Sequence, residues 1–180
     1  MRFRALDGVE LAGRRALVRV DFNVPMAAGK LADDTRLRAA LPTIQRLRDG
    51  GAKVILMAHF GRPKGHVRAE MSLRPVVAPL AALLGAPVAF VEDCVGPAAE
   101  AAVQRLADGE VLLLENLRFH PGEEADDDDF ADALARLGDL YVDDAFSAAH
   151  RAHASVDAIA RRLPAYAGEA MRAELAALNA

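Results

Sequence analysis

Four arginines in this sequence each follow an apolar run or the loop that leaves it: Arg36, Arg62, Arg118 and Arg151. Their settings are Asp33-Asp34-Thr35-Arg36, His59-Phe60-Gly61-Arg62-Pro63-Lys64-Gly65, Glu115-Asn116-Leu117-Arg118-Phe119-His120, and Asp143-Asp144-Ala145-Phe146 with Ser147, His150, Arg151 and His153 just behind. A guanidinium is a planar fork that meets a phosphate or carboxylate through two parallel hydrogen bonds. One surface arginine is ordinarily a solvated charge, but four delivered to one edge of a sheet make an anion site. Asp21 and Asn23 close the first run and supply groups that orient a hydroxyl, which a site for phosphate alone does not need. The expected ligand is a small phosphorylated acid.

Competing chemistries lack their residues. Neither G-x-x-x-x-G-K-[ST] nor G-x-G-x-x-G occurs, so neither standard nucleotide phosphate loop is present. His150 and His153 stand three apart without acidic or Cys ligands at metal spacing, and a non-metal role is expected. Ser147 has no G-x-S-x-G elbow around it. The one cysteine, Cys94, allows no internal disulfide, gives no Cys-based zinc framework, and reads as a small core residue. A net charge of −4 argues against nucleic acid as the main partner, so any anion site must be local. No apolar run approaches the roughly 20 residues of a membrane span, and MRFRALDGVEL has no signal-peptide core. The expected location is the cytoplasm.

The elements that must position these residues are legible as alternating strands and helices. Arg15–Phe22, Lys53–His59, Pro87–Val91, Val111–Leu117 and Leu140–Phe146 are near-continuous Val/Leu/Ile/Ala runs, the pattern of strands buried on both faces. Leu73, Val76, Val77, Leu80, Leu83 and Leu84 keep helical spacing between Ser72 as N-cap and Gly85 as stop. Phe130, Leu134 and Leu137 do the same before Gly138, and Ala99, Ala102, Val103 and Leu106 before Gly109. Leu41, Ile44 and Leu47 mark a helix ahead of Gly50-Gly51, and Pro42 implies that it starts late or kinks. Ser155 is placed to cap a further helix with Val156, Ile159 and Leu163 inward, and Met171, Leu175 and Leu178 form a last stripe. The acidic run Glu123 to Asp129 reads as a solvated helix start. Hydrophobic residues make 53% of the chain but aromatics only 5%, which points to an Ala/Leu/Val core. Strand–helix alternation implies parallel crossovers, hence a three-layer α/β/α sandwich whose ligands bind outside the carboxyl ends of the strands.

Five stretches, RVDFNVP at 19–25, DDTRLRAALPTI at 33–44, AHFGRPKG at 58–65, LLLENLRFHPGEE at 112–124 and DDAFSAAHRAHAS at 143–155, together resemble the phosphoglycerate kinase family. The resemblance covers the N-terminal, substrate-binding half of such a two-domain glycolytic enzyme. It implies a parallel sheet of five to six strands in order 342156, with residues near 166–171 as the sixth. It implies residues 1–168 as the substrate domain and 169–180 as the start of the interdomain helix, the chain stopping before the nucleotide-binding domain. Carried over by position, Asp21 and Asn23 stand on the substrate's hydroxyl and carboxyl side. His59, Arg62, Arg118 and Arg151 match the patch that holds the 3-phosphate. Arg36 matches the catalytic arginine that steadies the carboxyl and the phosphoryl group in flight. Asp143, Ser147 and Ala148 depart from the family, which usually has Asn, Gly and Thr there.

The function so implied is binding of 3-phosphoglycerate or 1,3-bisphosphoglycerate for reversible phosphoryl transfer with ADP and ATP. Mg-ATP or Mg-ADP and the family's catalytic lysine belong to the other half, so these residues alone are expected to bind substrate, as a monomer, without turnover, holding no cofactor or metal. A non-catalytic phosphate-ligand binding or regulatory domain is the alternative from another class. A receiver-type signalling domain is more distant, since it wants paired acids after the first strand and a Lys after the fifth.

Overall fold

All five apolar runs form strands, and a sixth strand joins them at one edge. The structure, a computed structural model, describes residues 4–180; the first three residues of the N-terminal segment read above lie outside the described residues. The strands are β1 (Arg15–Arg19), β2 (Met26–Ala27), β3 (Lys30–Leu31), β4 (Lys53–Met57), β5 (Val88–Val91), β6 (Val111–Leu114), β7 (Leu140–Asp143) and β8 (Ala165–Ala167). β2 and β3 pair as a small antiparallel hairpin in the loop after β1. The other six form one parallel sheet in the order β5-β6-β4-β1-β7-β8. Counted along that sheet alone, this is 3-4-2-1-5-6, the expected order. The chain moves from β1 to β4 on one side and returns to β7 on the other, so the order reverses at β1. The crevice outside the carboxyl end at such a switch point is where open α/β sheets take their ligands.

Helices α1 (Thr35–Asp49), α2 (Val77–Leu84), α3 (Gly96–Gln104), α4 (Pro121–Glu124), α5 (Asp128–Ala135) and α6 (Glu169–Leu178) connect and flank the strands. The two-residue period of each strand sends alternate side chains into two cores. Val18, Val54, Leu56, Leu113 and Val142 meet Leu37, Ile44 and Leu47 of α1 and Leu80 and Leu84 of α2. Leu17, Ile55, Met57, Leu112 and Tyr141 meet Ala99 and Val103 of α3 and Phe130 and Leu134 of α5. Cys94 lies in the second core, as its type implied.

Several local expectations are corrected. α1 runs from Thr35 with Pro42 inside it, so it does not start late. Pro42 is on the exposed face, where water can satisfy the carbonyl its missing N–H leaves free. The helix expected after Ser155 is a 3₁₀ turn over Ala158–Arg161, because the Ser155 side chain is fully buried and engaged elsewhere. The acidic run is not all solvated: Glu123 is buried, while Asp127 caps α5 by accepting from the Phe130 N–H at 2.8 Å. Ser72 does not cap α2 directly; its hydroxyl accepts from the Arg74 N–H at 3.1 Å, in the 3₁₀ turn that precedes α2.

The sixth strand spans Ala165–Ala167, and residues 168–171 begin α6 instead of extending it. Asp144 explains the change. Its Oδ1 accepts from the N–H groups of Ala170 (3.0 Å) and Met171 (3.3 Å), capping α6 across the sheet edge. Only glycine fits at 168, since a Cβ there would lie 2.2 Å from Asp144 Oδ1. Burial, the largest influence, pushes the Asp144 carboxyl from an ordinary 3.8 up to about 7, against the pull of Thr43 and the two backbone N–H groups. An acid held above its unfolded value favours folding most below the unfolded value, and that stability is lost as pH rises through the folded one. Between pH 5 and 8 the loss is on the order of 2–3 kcal/mol, or about 5–10 °C in a domain of this size. Asp144→Asn keeps the capping oxygen without the titration. Its melting temperature should therefore fall less than the parent's over that range, and equal falls would show that Asp144 does not titrate as described.

Candidate functional site

The segment Leu112–Asn116 builds the turn that presents Arg118. Asn116 Oδ1 accepts from the Arg118 N–H (3.0 Å), and its Nδ2 donates to the carbonyls of Phe60 (2.7 Å) and Met71 (2.9 Å). Glu115 accepts from the Ser72 hydroxyl (2.6 Å) and the Leu73 N–H (2.8 Å), tying the same turn to the entry of α2. The 3₁₀ turn Leu117–Phe119 then places Arg118 inside the protein, only 4% exposed. Its Nη1 donates to the Gly61 carbonyl at 3.1 Å. Gly61 has φ +63°, and a Cβ there would press on Met71 Sδ at 3.2 Å, so this carbonyl is offered from a conformation that suits glycine.

Arg118 Nε and Nη2 are buried and have no protein partner. Buried donors of a charged group rarely remain unpaired, because each unmade hydrogen bond leaves its desolvation uncompensated. The surrounding groups include further cations and donors as well as two carboxylates. Burial lowers the Arg118 pKa, and the charges of Arg151 and Arg19 lower it further against the opposing carboxylates of Glu124 and Glu123. Burial, then Arg19, Arg118, Arg151 and His153, drive the His59 pKa down to about 2, so this imidazole is neutral. Arg19 Nη2 donates to His59 Nδ1 at 2.7 Å; guanidinium cannot accept, so the ring proton sits on Nε2 and is available to a ligand. His153 is likewise held below its usual value, by burial first, and its Nδ1 is buried without a partner. Arg151 is exposed, and its side chain makes no hydrogen bond or ion pair among the described residues. Positive charge and buried nitrogens without a hydrogen-bond partner converge here, which is the chemistry of an anion site.

A second group lies along the same edge. Arg36, in the first turn of α1, donates through Nη1 to the Asn23 carbonyl and to Asp21 Oδ1, the latter at 3.3 Å. Asp21 Oδ2 accepts from the Ser147 hydroxyl at 3.0 Å. Asn23 Oδ1 accepts from the Gly61 N–H at 3.0 Å, and the Gly61 carbonyl holds Arg118, so the two groups share one residue. A cavity of about 190 Å³ opens between Asp21, Arg36, Ser147 and Asp144. Of the seven expected residues, Asp21, Asn23 and Arg36 are joined by hydrogen bonds and connect through Gly61 to Arg118, while His59 lies in the field of Arg118 and of the exposed Arg151. Arg62 follows Gly61 at the same edge, but its side chain is exposed and joins neither group.

Reading by strand ends misses the residues beneath this surface. Arg19 is fully buried in β1; its Nε donates to Ser155 Oγ (2.9 Å), its Nη1 to the Val20 carbonyl (2.8 Å), and its Nη2 lies 4.0 Å from Glu123 Oε2. Ser155 in turn donates its hydroxyl and N–H to Glu123. The available signal is a charged residue inside an otherwise apolar strand, which demands buried partners. The departures are also accommodated. Ser147 sits in a 3₁₀ turn without positive φ. Asp143 is buried, accepts from the Ala145 N–H at 3.1 Å, and makes no ion pair with an arginine among the described residues; burial pushes its carboxyl up to about 6.

Comparison with known proteins bears on the whole chain. The sequence matches the phosphoglycerate kinase family over residues 6–180. It is similar to the phosphoglycerate kinase of Caulobacter vibrioides (strain NA1000 / CB15N), 68% identical over 180 residues, which is all of this chain and 46% of that one. It is 60% identical over 177 residues to the phosphoglycerate kinase of Xanthobacter autotrophicus, covering 98% of this chain and 44% of the relative. Among solved structures it superposes on phosphoglycerate kinase from Coxiella burnetii with a TM-score of 0.89 at 35% identity, over 99% of this chain and 44% of the other. The enzyme from Pyrococcus horikoshii OT3 gives the same TM-score at 34% identity, over 98% of this chain and 45% of that one. The chain thus spans a little under half the length of these relatives. No described helix is long and apolar enough to cross a membrane. With the sheet order and these likenesses in agreement, the chain belongs to the phosphoglycerate kinase family and corresponds to its N-terminal domain.

Proposed function

We propose that the strand ends bind 3-phosphoglycerate or 1,3-bisphosphoglycerate, as one half of a reversible phosphoryl transfer with ADP and ATP. The observation that carries this reading is the pair of buried, unpartnered N–H groups on Arg118, facing a neutral His59 and the charge of Arg151. A phosphate oxygen supplies the acceptors this cluster lacks, and bidentate contact suits the guanidinium fork. Arg62 reaches the same phosphate from the exposed turn after β4. Asp21 and Asn23 orient the hydroxyl and carboxyl of the substrate, and Arg36 stands between that end and the phosphoryl group in flight.

Phosphoryl transfer is largely positioning and charge neutralisation, and both sides of the reaction must be assembled for turnover. Residues 1–168 act here as the acceptor domain, and residues 169–180 as the start of a helix toward a nucleotide-binding half. These 180 residues carry neither nucleotide loop motif, so Mg-ATP and Mg-ADP are assigned to that half. By themselves the residues described bind substrate as a cytoplasmic monomer and do not turn it over.

Titration calorimetry separates the two ligands. 3-Phosphoglycerate should give a weak, saturable isotherm with the chain, and ATP and ADP should give none. ATP binding tighter than 3-phosphoglycerate would overturn the assignment of this half.

A further inference from the structure

Besides the groups already described, three side chains with different donor atoms converge beyond the ends of β5 and β6. Asp93 and Cys94 lie in the loop between β5 and α3, and His120 follows the 3₁₀ turn after β6. One ligand atom from each, a carboxylate oxygen, Sγ and a ring nitrogen, lie within 4.8 Å of one another. We propose that Asp93, Cys94 and His120 form a binding site for a divalent transition-metal ion of the zinc type. Metal bonds of 2.0–2.3 Å in a tetrahedral shell set donor atoms roughly 3.3–3.8 Å apart, so the three reach a common centre with small side-chain adjustments. A thiolate, an imidazole and a carboxylate also select zinc, cobalt or copper over magnesium and calcium.

The frame is already held. Asp93 Oδ1 accepts from the Cys94 N–H at 2.7 Å and lies 2.7 Å from His120 Nε2, so the imidazole faces the acid. The His120 ring is stacked on Phe130 with centroids 5.2 Å apart, which fixes its plane. Cys94 is buried, whereas the Asp93 and His120 side chains are 43% and 33% exposed, leaving a fourth position open to water. The Asp93 carboxylate brings its negative charge to the same point, which favours a cation there. Binding releases the thiol proton to solvent and transfers the sulfur lone pair to the metal, with no change of oxidation state. Counting cysteines points away from zinc, because the common structural sites use two or more thiolates; a site with one thiolate escapes that count.

Cobalt(II) is the probe, titrated into the full chain at pH 7.5, because thiolate-bound cobalt gives a sulfur-to-metal charge-transfer band in the near ultraviolet. One equivalent should develop that band, and zinc should displace it. Asp93→Asn and His120→Gln, both at partly exposed positions, should each weaken binding by about tenfold or more, with circular dichroism unchanged. Cys94→Ser should abolish the band. No band from the parent chain would overturn the proposal. So would a band that Asp93→Asn and His120→Gln both leave at full affinity, since the thiol would then bind cobalt without the site.

Discussion

Arg19→Met is expected to destabilise the chain by about 3–5 kcal/mol, the usual consequence of leaving one member of a buried ion pair without its partner. Methionine is long enough to fill much of the space, so the loss comes from polarity and not from a cavity. It strands the Glu123 carboxylate, which is fully buried, and removes the donors to Ser155 Oγ and His59 Nδ1. The prediction is a non-additive one. Replacing both ends of a buried pair with uncharged groups is often far milder than replacing one. Arg19→Met combined with Glu123→Gln should therefore lose less than the sum of the two single changes, with coupling of roughly 1–3 kcal/mol. Urea unfolding of the four proteins measures this directly. A single-variant loss below 1 kcal/mol, or strict additivity, would show that the 4.0 Å approach of Arg19 to Glu123 carries no stability. The variant also matters for the site, because Arg19 sets the His59 tautomer that leaves a proton on Nε2.

Arg36→Lys is expected to lower turnover at least a hundredfold in a two-domain enzyme rebuilt with a nucleotide-binding half, while 3-phosphoglycerate affinity stays near normal. The side chain is 47% exposed, and its contact with Asp21 is a surface ion pair, so it contributes little to folding. What it offers is a preorganised fork, fixed by the Asn23 carbonyl and Asp21 and adjoining the 190 Å³ cavity beside Ser147. A contact that strengthens as charge shifts onto the transferring oxygens raises turnover more than affinity. Loss of one such donor typically lowers the rate by roughly 10²–10³. Lysine keeps the charge but not the planar geometry, so it should not substitute. Turnover within threefold of the parent would reduce Arg36 to a surface residue at the start of α1.

The parts of the fold that were legible beforehand are those where one physical rule acts alone. Five continuous apolar runs gave five strands, and four of them are buried as expected, whereas β5 lies at the sheet edge and has no buried residue; the positions of Arg118 and Arg151 followed from where those runs stop. The failures come where tertiary contacts outweigh local preference. Ser155 has the type of a helix cap, yet its hydroxyl bridges Arg19 and Glu123 and the expected helix does not form. Pro42 has the type that delays a helix start, yet its exposed position lets α1 begin at Thr35, seven residues before it. The hairpin of β2 and β3 turns at Ala28-Gly29, both with positive φ, and no Asn-Gly or Asp-Gly marks it. Arg19 and Glu123, which hold the site from below, sit 104 residues apart in the sequence (positions 19 and 123), so only a three-dimensional arrangement pairs them. Arg62 shows the reverse: its position at a strand end was legible, but the exposed side chain makes no hydrogen bond or ion pair among the described residues to fix its aim.

The claim that the converging cations hold the substrate phosphate is tested most directly at Arg151. Arg118 is embedded and contacts Gly61, so its removal would perturb the turn as well as the ligand. Arg151 is exposed and unpaired among the described residues, so its loss reports on the ligand alone. A charge-assisted hydrogen bond contributes about 1.5–3 kcal/mol. Titration calorimetry of 3-phosphoglycerate against the parent chain and Arg151→Ala should show affinity at least tenfold weaker in the variant, with an unchanged melting temperature. Equal affinity accompanied by a lower melting temperature would make Arg151 a structural residue and contradict the phosphate site.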